Sequence, residues 1–452
     1  MFYFILGVKS PSEYFYIKTV GFPLKIKSSW PSKELGQPES RPVMILKRFF
    51  HFSLCLLCLY GGFSYIIIHF NSLSFFEIGH LYICMLMTMV IFVSNLLILN
   101  LFQCTILQHH TVNYVSLYSQ SRITTLTFNP SYRPVAKDFL AKIHLFFHKD
   151  GSDFAMKTHK EIHRISHIYT LYLTILMLTG IVMFNLMPMY NNYLAGNYAA
   201  GGLKNNSLYE HSLYFSYPFE TRTGLKAYII VNIPFFKSLY INADWFCTFD
   251  LFLSLMVFHV WGHFKILLNN LDSIPRPSVQ KTMTIEHITL TYEMFDENES
   301  RKVTEKLKEC IDYHRYIKNF TDRMSDVFGP MLFAYYMFHQ ASGCLLLLEC
   351  SQMTAAALMR YVPLTILMFQ QLIQLSVIFE IIGSTSDRLK DSVYGLPWEC
   401  MNNENRQIVA FLLMNVQTPV HVTALGIADV GVTSMATILK TSMSYFTFLR
   451  SM

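Results

Sequence analysis

Apolar residues in this chain gather into long runs near 46–70, 75–107, 160–188, 226–268, 326–350, 354–383 and 427–449. An α-helix rises about 1.5 Å per residue, so about 20 residues cross the ~30 Å hydrocarbon layer of a bilayer. Each run reaches that length, and the pattern predicts seven membrane spans. Several are overlong: 226–268 and 301–350 start or finish as amphipathic helix, with Lys306, Lys308, His314 and Arg315 at helical spacing. Helices that project past the membrane can pack into a cytoplasmic bundle. The segment 384–418, with Tyr394 and Trp398 four residues apart on one helical face, is expected to join it. The expected fold is therefore all-α, a seven-transmembrane helical bundle. It divides into an N-terminal segment at 1–45, spans one to six with their loops at 46–383, an anchor segment at 384–426 and a last helix at 427–452.

Composition agrees with the pattern. Of 452 residues 52% are apolar and 15% charged, which is too apolar for a soluble domain of this length. Lys and Arg set the orientation, because they accumulate in loops on the cytoplasmic side. Residues 1–48 and 108–165 carry eight each and 264–325 carry ten, whereas 71–79 carry none and 189–227 three. The N-terminus is thus expected inside and, after seven crossings, the C-terminus outside, opposite to a G-protein-coupled receptor. No cleaved signal peptide is expected, since Met1–Val8 lacks a basic flank. Asn205 begins a glycosylation sequon in the 189–227 loop, on the expected outer side. The nine cysteines show neither a disulfide framework nor metal-ligand spacing.

Catalytic motifs are missing: there is no Gly-rich phosphate loop, no HExxH, no CxxC and no Ser/His/Asp set that the spans would bring together. Neither an enzyme nor a cofactor is expected. His159, His163 and His167 recur at i, i+4, i+8, but no acid or cysteine accompanies them, so an interfacial helix face is expected in preference to a metal site. Ionisable groups inside spans are usually paired or line water. Asp250 and Glu380 are expected to pair between helices. The last run places Asp429, Thr433, Ala436, Lys440, Ser444, Phe448 and Met452 on one stripe. Copies of it around an axis would line an aqueous path closed by an apolar outer end; alternatively the polar side faces its own bundle, and periodicity leaves both open. The run reaches the end of the chain, so the last helix itself is expected to be the working part.

The outer halves of other spans are rich in aromatic residues, Met and small polar groups. In the second these are His80, Tyr82, Met85 and Met89; in the third, Leu178 and Met183; in the fourth, Asn232, Phe235, Phe236 and Tyr240; in the sixth, Tyr361, Thr365 and Met368. A pocket so lined suits small, weakly polar ligands, with burial supplying affinity and a few hydroxyls or amides orienting the guest. Ordinary core packing accounts for any one of these residues as well.

Several segments resemble the insect odorant receptors, a family of ligand-gated cation channels. They are GSTSDRLKDSVYGLPWEC at 383–400, RQIVAFLLMNVQTPVHVTALG at 406–426 and TSMATILKTSMSYFTFL at 433–449. The last is similar to the family's ILKtSYSYFTLL-like ending and departs mainly at Met443. EKLKECIDYHRYIKNFTDRMSDVFGPMLF at 305–333 resembles the family's ECIxxHxxI helix, and YPFET at 217–221 also looks familiar. The resemblance implies a heterotetramer with the family's shared co-receptor in the plasma membrane of olfactory sensory neurons. It also implies last helices around a pore, a cytoplasmic anchor, and a pocket for a small volatile apolar ligand in each subunit's outer half, with no nucleic-acid partner. Phe448 and Met452 fall where the family's outer gate would lie, and Lys440 would sit beside the pore. The co-receptor's TYFMVLVQL-like ending is absent, so a ligand-tuning subunit is implied. The alternatives are a gustatory-type channel subunit, whose terminal TYhhhhhQF pattern is missing, a G-protein-coupled receptor, which lacks its NPxxY run here, or a transporter. For a transporter Pro234 and Pro363 are the candidate helix breaks, without matching sequence halves.

Overall fold

The computed structural model describes residues 9–26, 28–33, 35–70, 81–90, 92, 132–198, 209–211, 216, 223–278, 280–285, 288–351 and 355–451. The apolar runs hold helices where they are described; of the second run, 75–107, only 81–90 and 92 lie among the described residues. After a short α1 (Phe15–Ile26) come α2 (Arg41–His69), α3 (Leu81–Val90) and a one-turn-plus α4 (Tyr132–Asp138). The long helices α5 (Asp153–Leu194), α6 (Leu225–Asp272), α7 (Glu297–Cys350) and α8 (Ala355–Tyr394) follow, and α9 (Asn403–Val416) and α10 (Val432–Ser451) close the chain. Among the described residues five helices are long and apolar enough to cross a membrane, on α2, α5, α6, α7 and α8. The apolar side chains of α2 that point outward, such as Phe49, Leu57, Tyr60 and Ile67, form the kind of surface that lipid covers.

The second half of α6 is the centre of the bundle. It is buried on nearly all sides, which suits a helix surrounded by others rather than one with a wet face. Leu253, Leu255, Met256, Val257 and Phe264 are completely buried there, with α5, α7 and α8 packed around them. Pro234 and Pro363 do not break their helices: α6 and α8 run through them, as α7 runs through Pro330. Neighbouring helices can satisfy the carbonyl that a proline leaves unpaired.

Polar punctuation sets the remaining boundaries. Asp296 caps α7 in a reciprocal box, its Oδ1 accepting from the Glu299 N–H at 2.6 Å while Glu299 Oε2 accepts from the Asp296 N–H at 3.1 Å. Before it, β1 (Gln280–Ile285) and β2 (Ile288–Glu293) form an antiparallel hairpin in register Gln280 to Glu293, a pair of strands that the all-helical reading did not anticipate.

Two expectations near the C-terminus are corrected. Tyr394 and Trp398 do not share a helical face: α8 stops at Tyr394, Gly395 and Pro397 interrupt the backbone, and Trp398 belongs to a short 3-10 turn, Trp398–Cys400. Both rings are exposed, Tyr394 at 67% and Trp398 at 44%. The last helix also starts later than residue 427. β3 (Thr423–Ala424) and β4 (Ala428–Asp429) pair across a turn in which Leu425 and Gly426 take φ of 56° and 66°, the left-handed pair that a tight hairpin requires. Asp429 is therefore a strand residue and leaves the stripe that begins at Thr433.

Candidate functional site

Two faces of α10 differ in company. Ser442 is completely buried, its Oγ accepting from Gln340 Nε2 at 3.2 Å, and Ile438 is buried beside it. Opposite, Thr433, Thr437, Lys440, Ser444 and Phe448 are exposed on the single chain, Phe448 at 55%. The polar side thus faces away from its own bundle. Two threonine hydroxyls there are satisfied within the helix, Thr437 donating to the Thr433 carbonyl at 3.0 Å and Thr441 to the Thr437 carbonyl at 2.8 Å. Ala436 is half-buried, and Met452 lies outside the described residues.

On α8 the predicted pocket residues come together. Tyr361, Thr365 and Met368 are all buried at i, i+4, i+7, and Thr365 Oγ1 donates to the Tyr361 carbonyl at 2.7 Å and lies 3.6 Å from Cys350 Sγ on α7. Gly343 lets α7 approach this helix and α10 at once: a Cβ there would lie 3.0 Å from Phe369 and 3.2 Å from Ser442 Oγ. The other predicted residues are placed differently. Met85 is buried with its sulfur over Gly62 of α2, Tyr82 is half-buried, and Met89 is half-exposed. Leu178 and Met183 also lie half-exposed, because the inward face of α5 is Leu173, Ile181, Asn185 and Asn192. Burying the two asparagines leaves Leu and Met to the outside, as polar groups require a partner and apolar ones do not. Asn232, Phe235, Phe236 and Tyr240 lie on α6, with side chains outside the described set, as are His80 and Asn205 entirely.

The structure adds a polar and aromatic network at the join of α5 and α6 that sequence reading missed. Asn192, buried, donates through Nδ2 to the Glu210 carbonyl at 2.8 Å and to Tyr228 Oη at 3.2 Å, and its Oδ1 accepts from the Glu210 N–H at 2.9 Å and Asn197 Nδ2 at 3.1 Å. Tyr209 and His211 pack on Tyr228, each with ring centroids 4.8 Å apart. An asparagine and a tyrosine in otherwise apolar runs were the available signal.

Asp250 and Glu380 are both paired between elements. Tyr335 of α7 donates to Asp250 Oδ2 at 3.0 Å, deep in the bundle, and Glu380 Oε2 accepts from the Val432 N–H at 3.0 Å. At the other end of the bundle, the histidines expected on an interfacial face are instead packed under α1. Tyr14 Oη lies 3.1 Å from His159 Nε2, and the Tyr14 and His163 rings are 4.7 Å apart. Tyr16 Oη lies 3.0 Å from His144 Nε2, and the His144 and His259 rings are 4.0 Å apart. Burial pushes His144 well below the usual imidazole range, with His159 adding to the effect. Among the described residues no group of three or more His, Cys, Asp or Glu is arranged to hold a metal ion.

Comparison with known proteins agrees with this architecture. Solved structures of the insect olfactory receptor OR5 from Machilis hrabei share the fold. One superposes with a TM-score of 0.68 over 96% of this chain and 97% of that one, at 12% identity; another, in complex with eugenol, gives 0.65 over the same shares at 13% identity. In sequence, odorant receptor 13a of Drosophila melanogaster is 28% identical over 161 residues, which cover 32% of this chain and 38% of that relative's length. The family described as 7tm odorant receptor matches residues 138–443. That match takes in every long helix from the end of α4 to the middle of α10, and the chain belongs to the 7tm odorant receptor family.

Proposed function

We propose that this chain is the ligand-tuning subunit of an odorant-gated, non-selective cation channel. It crosses the plasma membrane of olfactory sensory neurons seven times, with its N-terminus inside and C-terminus outside, and assembles with the odorant co-receptor. The observation that carries the reading is the exposed stripe of α10. A bilayer-facing lysine near the middle of a helix costs about 2.5–3.5 kcal/mol, and a row of Thr and Ser beside it gains nothing from lipid. The same stripe beside a water-filled axis costs little, and Phe448 with Met452 then supplies an apolar constriction that closes by dewetting. The buried faces of α10 hold it to α7 and α8, which leaves the polar face for neighbours in an assembly.

The ligand site is assigned to the outer half of the bundle, with Tyr361, Thr365 and Met368 as its α8 wall and Asn232, Phe235, Phe236, Tyr240 and the α3 residues as the remainder. Its ligands are small, volatile and weakly polar. Eugenol, found with the Machilis receptor, is of that size and chemistry. Binding favours whichever arrangement of α10 fits the occupied pocket better, and only the difference in affinity between closed and open forms moves the gate.

The test is whole-cell current from cells expressing this chain alone or with an insect odorant co-receptor, challenged with volatile esters, terpenes, alcohols, aldehydes and eugenol. Current evoked only when both chains are present supports the reading. No current, with both chains displayed at the surface, counts against it.

A further inference from the structure

The start of the pore-helix candidate α10 is held by one acid from another helix. Glu380 projects from α8, and its Oε2 accepts from the N–H of Val432, the first residue of α10, at 3.0 Å. Gly431 lies against the same oxygen, so that a Cβ on residue 431 would stand 2.5 Å from Glu380 Oε2. The Gly431 N–H is directed to the Tyr336 hydroxyl of α7, which itself lies 3.3 Å from Ser376 Oγ on α8, one turn before Glu380. The first N–H groups of a helix have no partner within it and carry its positive dipole end. Here a carboxylate and a phenol on two other helices supply what a local capping residue would, since Gly431 has no side chain to do so.

The same face of α8 leads to the candidate pocket. Tyr361, Thr365, Met368, Leu372, Ser376 and Glu380 follow one another at steps of three and four, and the first five are buried. A rigid helix of this kind spans about 28 Å between residues 361 and 380, and a shift or rotation at one end is delivered to the other. We infer that Glu380 is the seat of the last helix: it positions the α10 N-terminus and couples it to the α8 stripe that lines the pocket. The inference rests on the channel reading above and adds to it a named point of coupling.

The experiment records odour-evoked current from the complex with the co-receptor, alongside surface display, for the wild-type chain, E380A, E380Q and G431A. E380A removes the acceptor and is expected to lower the maximal current about tenfold, while the half-saturating odorant concentration moves much less. E380Q keeps an acceptor oxygen and retains most of the wild-type response. G431A leaves Glu380 in the chain but drives its carboxylate, the end of a flexible side chain, out of the seat, and so reproduces E380A. If E380A fails to reach the surface, G431A against E380Q decides: a reduced G431A with a preserved E380Q supports the seat, and equal responses overturn it. Wild-type maximal currents from E380A and G431A at equal display overturn the inference and leave the channel reading standing. A wild-type pair that is displayed yet silent removes that reading, and the coupling with it.

Discussion

Tyr16 Oη and His144 Nε2 lie 3.0 Å apart, both completely buried, although 128 positions separate them in the chain. The contact has a defined direction. His144 Nδ1 accepts from the Phe146 N–H at 3.2 Å, so the ring proton sits on Nε2 and is donated to Tyr16 Oη. Y16F would leave that N–H buried without an acceptor, a loss of about 1–3 kcal/mol. The expected result is a thermal midpoint lowered by several degrees in detergent and faster proteolysis of the α1 segment, with little change in odorant selectivity. An unchanged midpoint would show that α1 is held by its ring packing alone.

Acid should loosen the same region. His144 has its folded pKa pushed well below the ordinary value by burial, then by His159, His163 and His263. The unfolded chain, with a histidine pKa of about 6.5, therefore takes up protons first as pH falls. Stability from this group is fully present above about pH 6.5 and is lost progressively below it. Thermal midpoints measured from about pH 8 down to about pH 5 should stay level and then fall. H144N should start lower and fall less steeply. Parallel curves for the two proteins would assign the acid sensitivity to other groups.

Lys440 stands exposed on the stripe of α10. A cation about 4 Å from a passing cation is repelled by about 4 kcal/mol at a surface-like dielectric and about 1 kcal/mol in bulk water, so even a hydrated Lys440 should hinder permeation. K440Q is expected to raise single-channel conductance or shift the reversal potential in mixed-cation solutions, and to leave odorant half-saturation within about twofold. The decisive comparison is permeation against sensitivity in one set of cells; a change in sensitivity alone would place Lys440 outside the pore.

Phe448 lies two turns beyond Lys440 on the same stripe, also exposed. Where an apolar constriction holds a pore shut by excluding water, replacing its ring with a methyl group widens and wets it. F448A should raise the basal current of the co-receptor complex before any odorant is added, while Ser442, buried on the opposite face, should tolerate S442A without basal leak. Basal currents equal to wild type at normal surface display would remove Phe448 from the gate.

Part of this architecture is legible in the sequence because it follows from single-helix periodicity. The runs at 46–70, 160–188 and 354–383 each become a helix that is apolar and long enough to cross a membrane, and the polar stripe of the last run shares one face from Thr433 to Phe448. What was misread depends on where helices stop and on register. One residue of error turns a helical face by about 100°, which is enough to send Leu178 and Met183 to the outside of α5 while Asn185 and Asn192 turn in. Gly395 and Pro397 separated Tyr394 from Trp398, a break visible in the sequence but outweighed there by their spacing. His159 and His163 were conspicuous, yet they pack on Tyr14, just before α1, and His159 on His144, in the turn after α4, which in turn meets His259 of α6. Contacts between residues more than a hundred positions apart leave no mark on local periodicity.

Met368 offers the cleanest test of the pocket assignment. It is buried on α8 one turn from Thr365, and its flexible thioether can reshape around different guests. M368A removes three side-chain heavy atoms without adding a polar group, and the space it leaves is apolar. If that space opens into the ligand site, bulkier odorants should gain relative to small ones, with half-saturation values shifting by about fivefold or more, equivalent to about 1 kcal/mol. The maximal current should be kept, because the seat at Glu380 and the stripe of α10 are untouched. T365V, which keeps the shape but removes the hydroxyl, should instead penalise odorants that carry a carbonyl or hydroxyl and spare pure hydrocarbons. A uniform loss of response to every odorant in both variants would mean that these residues only pack α8 against α7, and would move the pocket to the α3 and α6 walls.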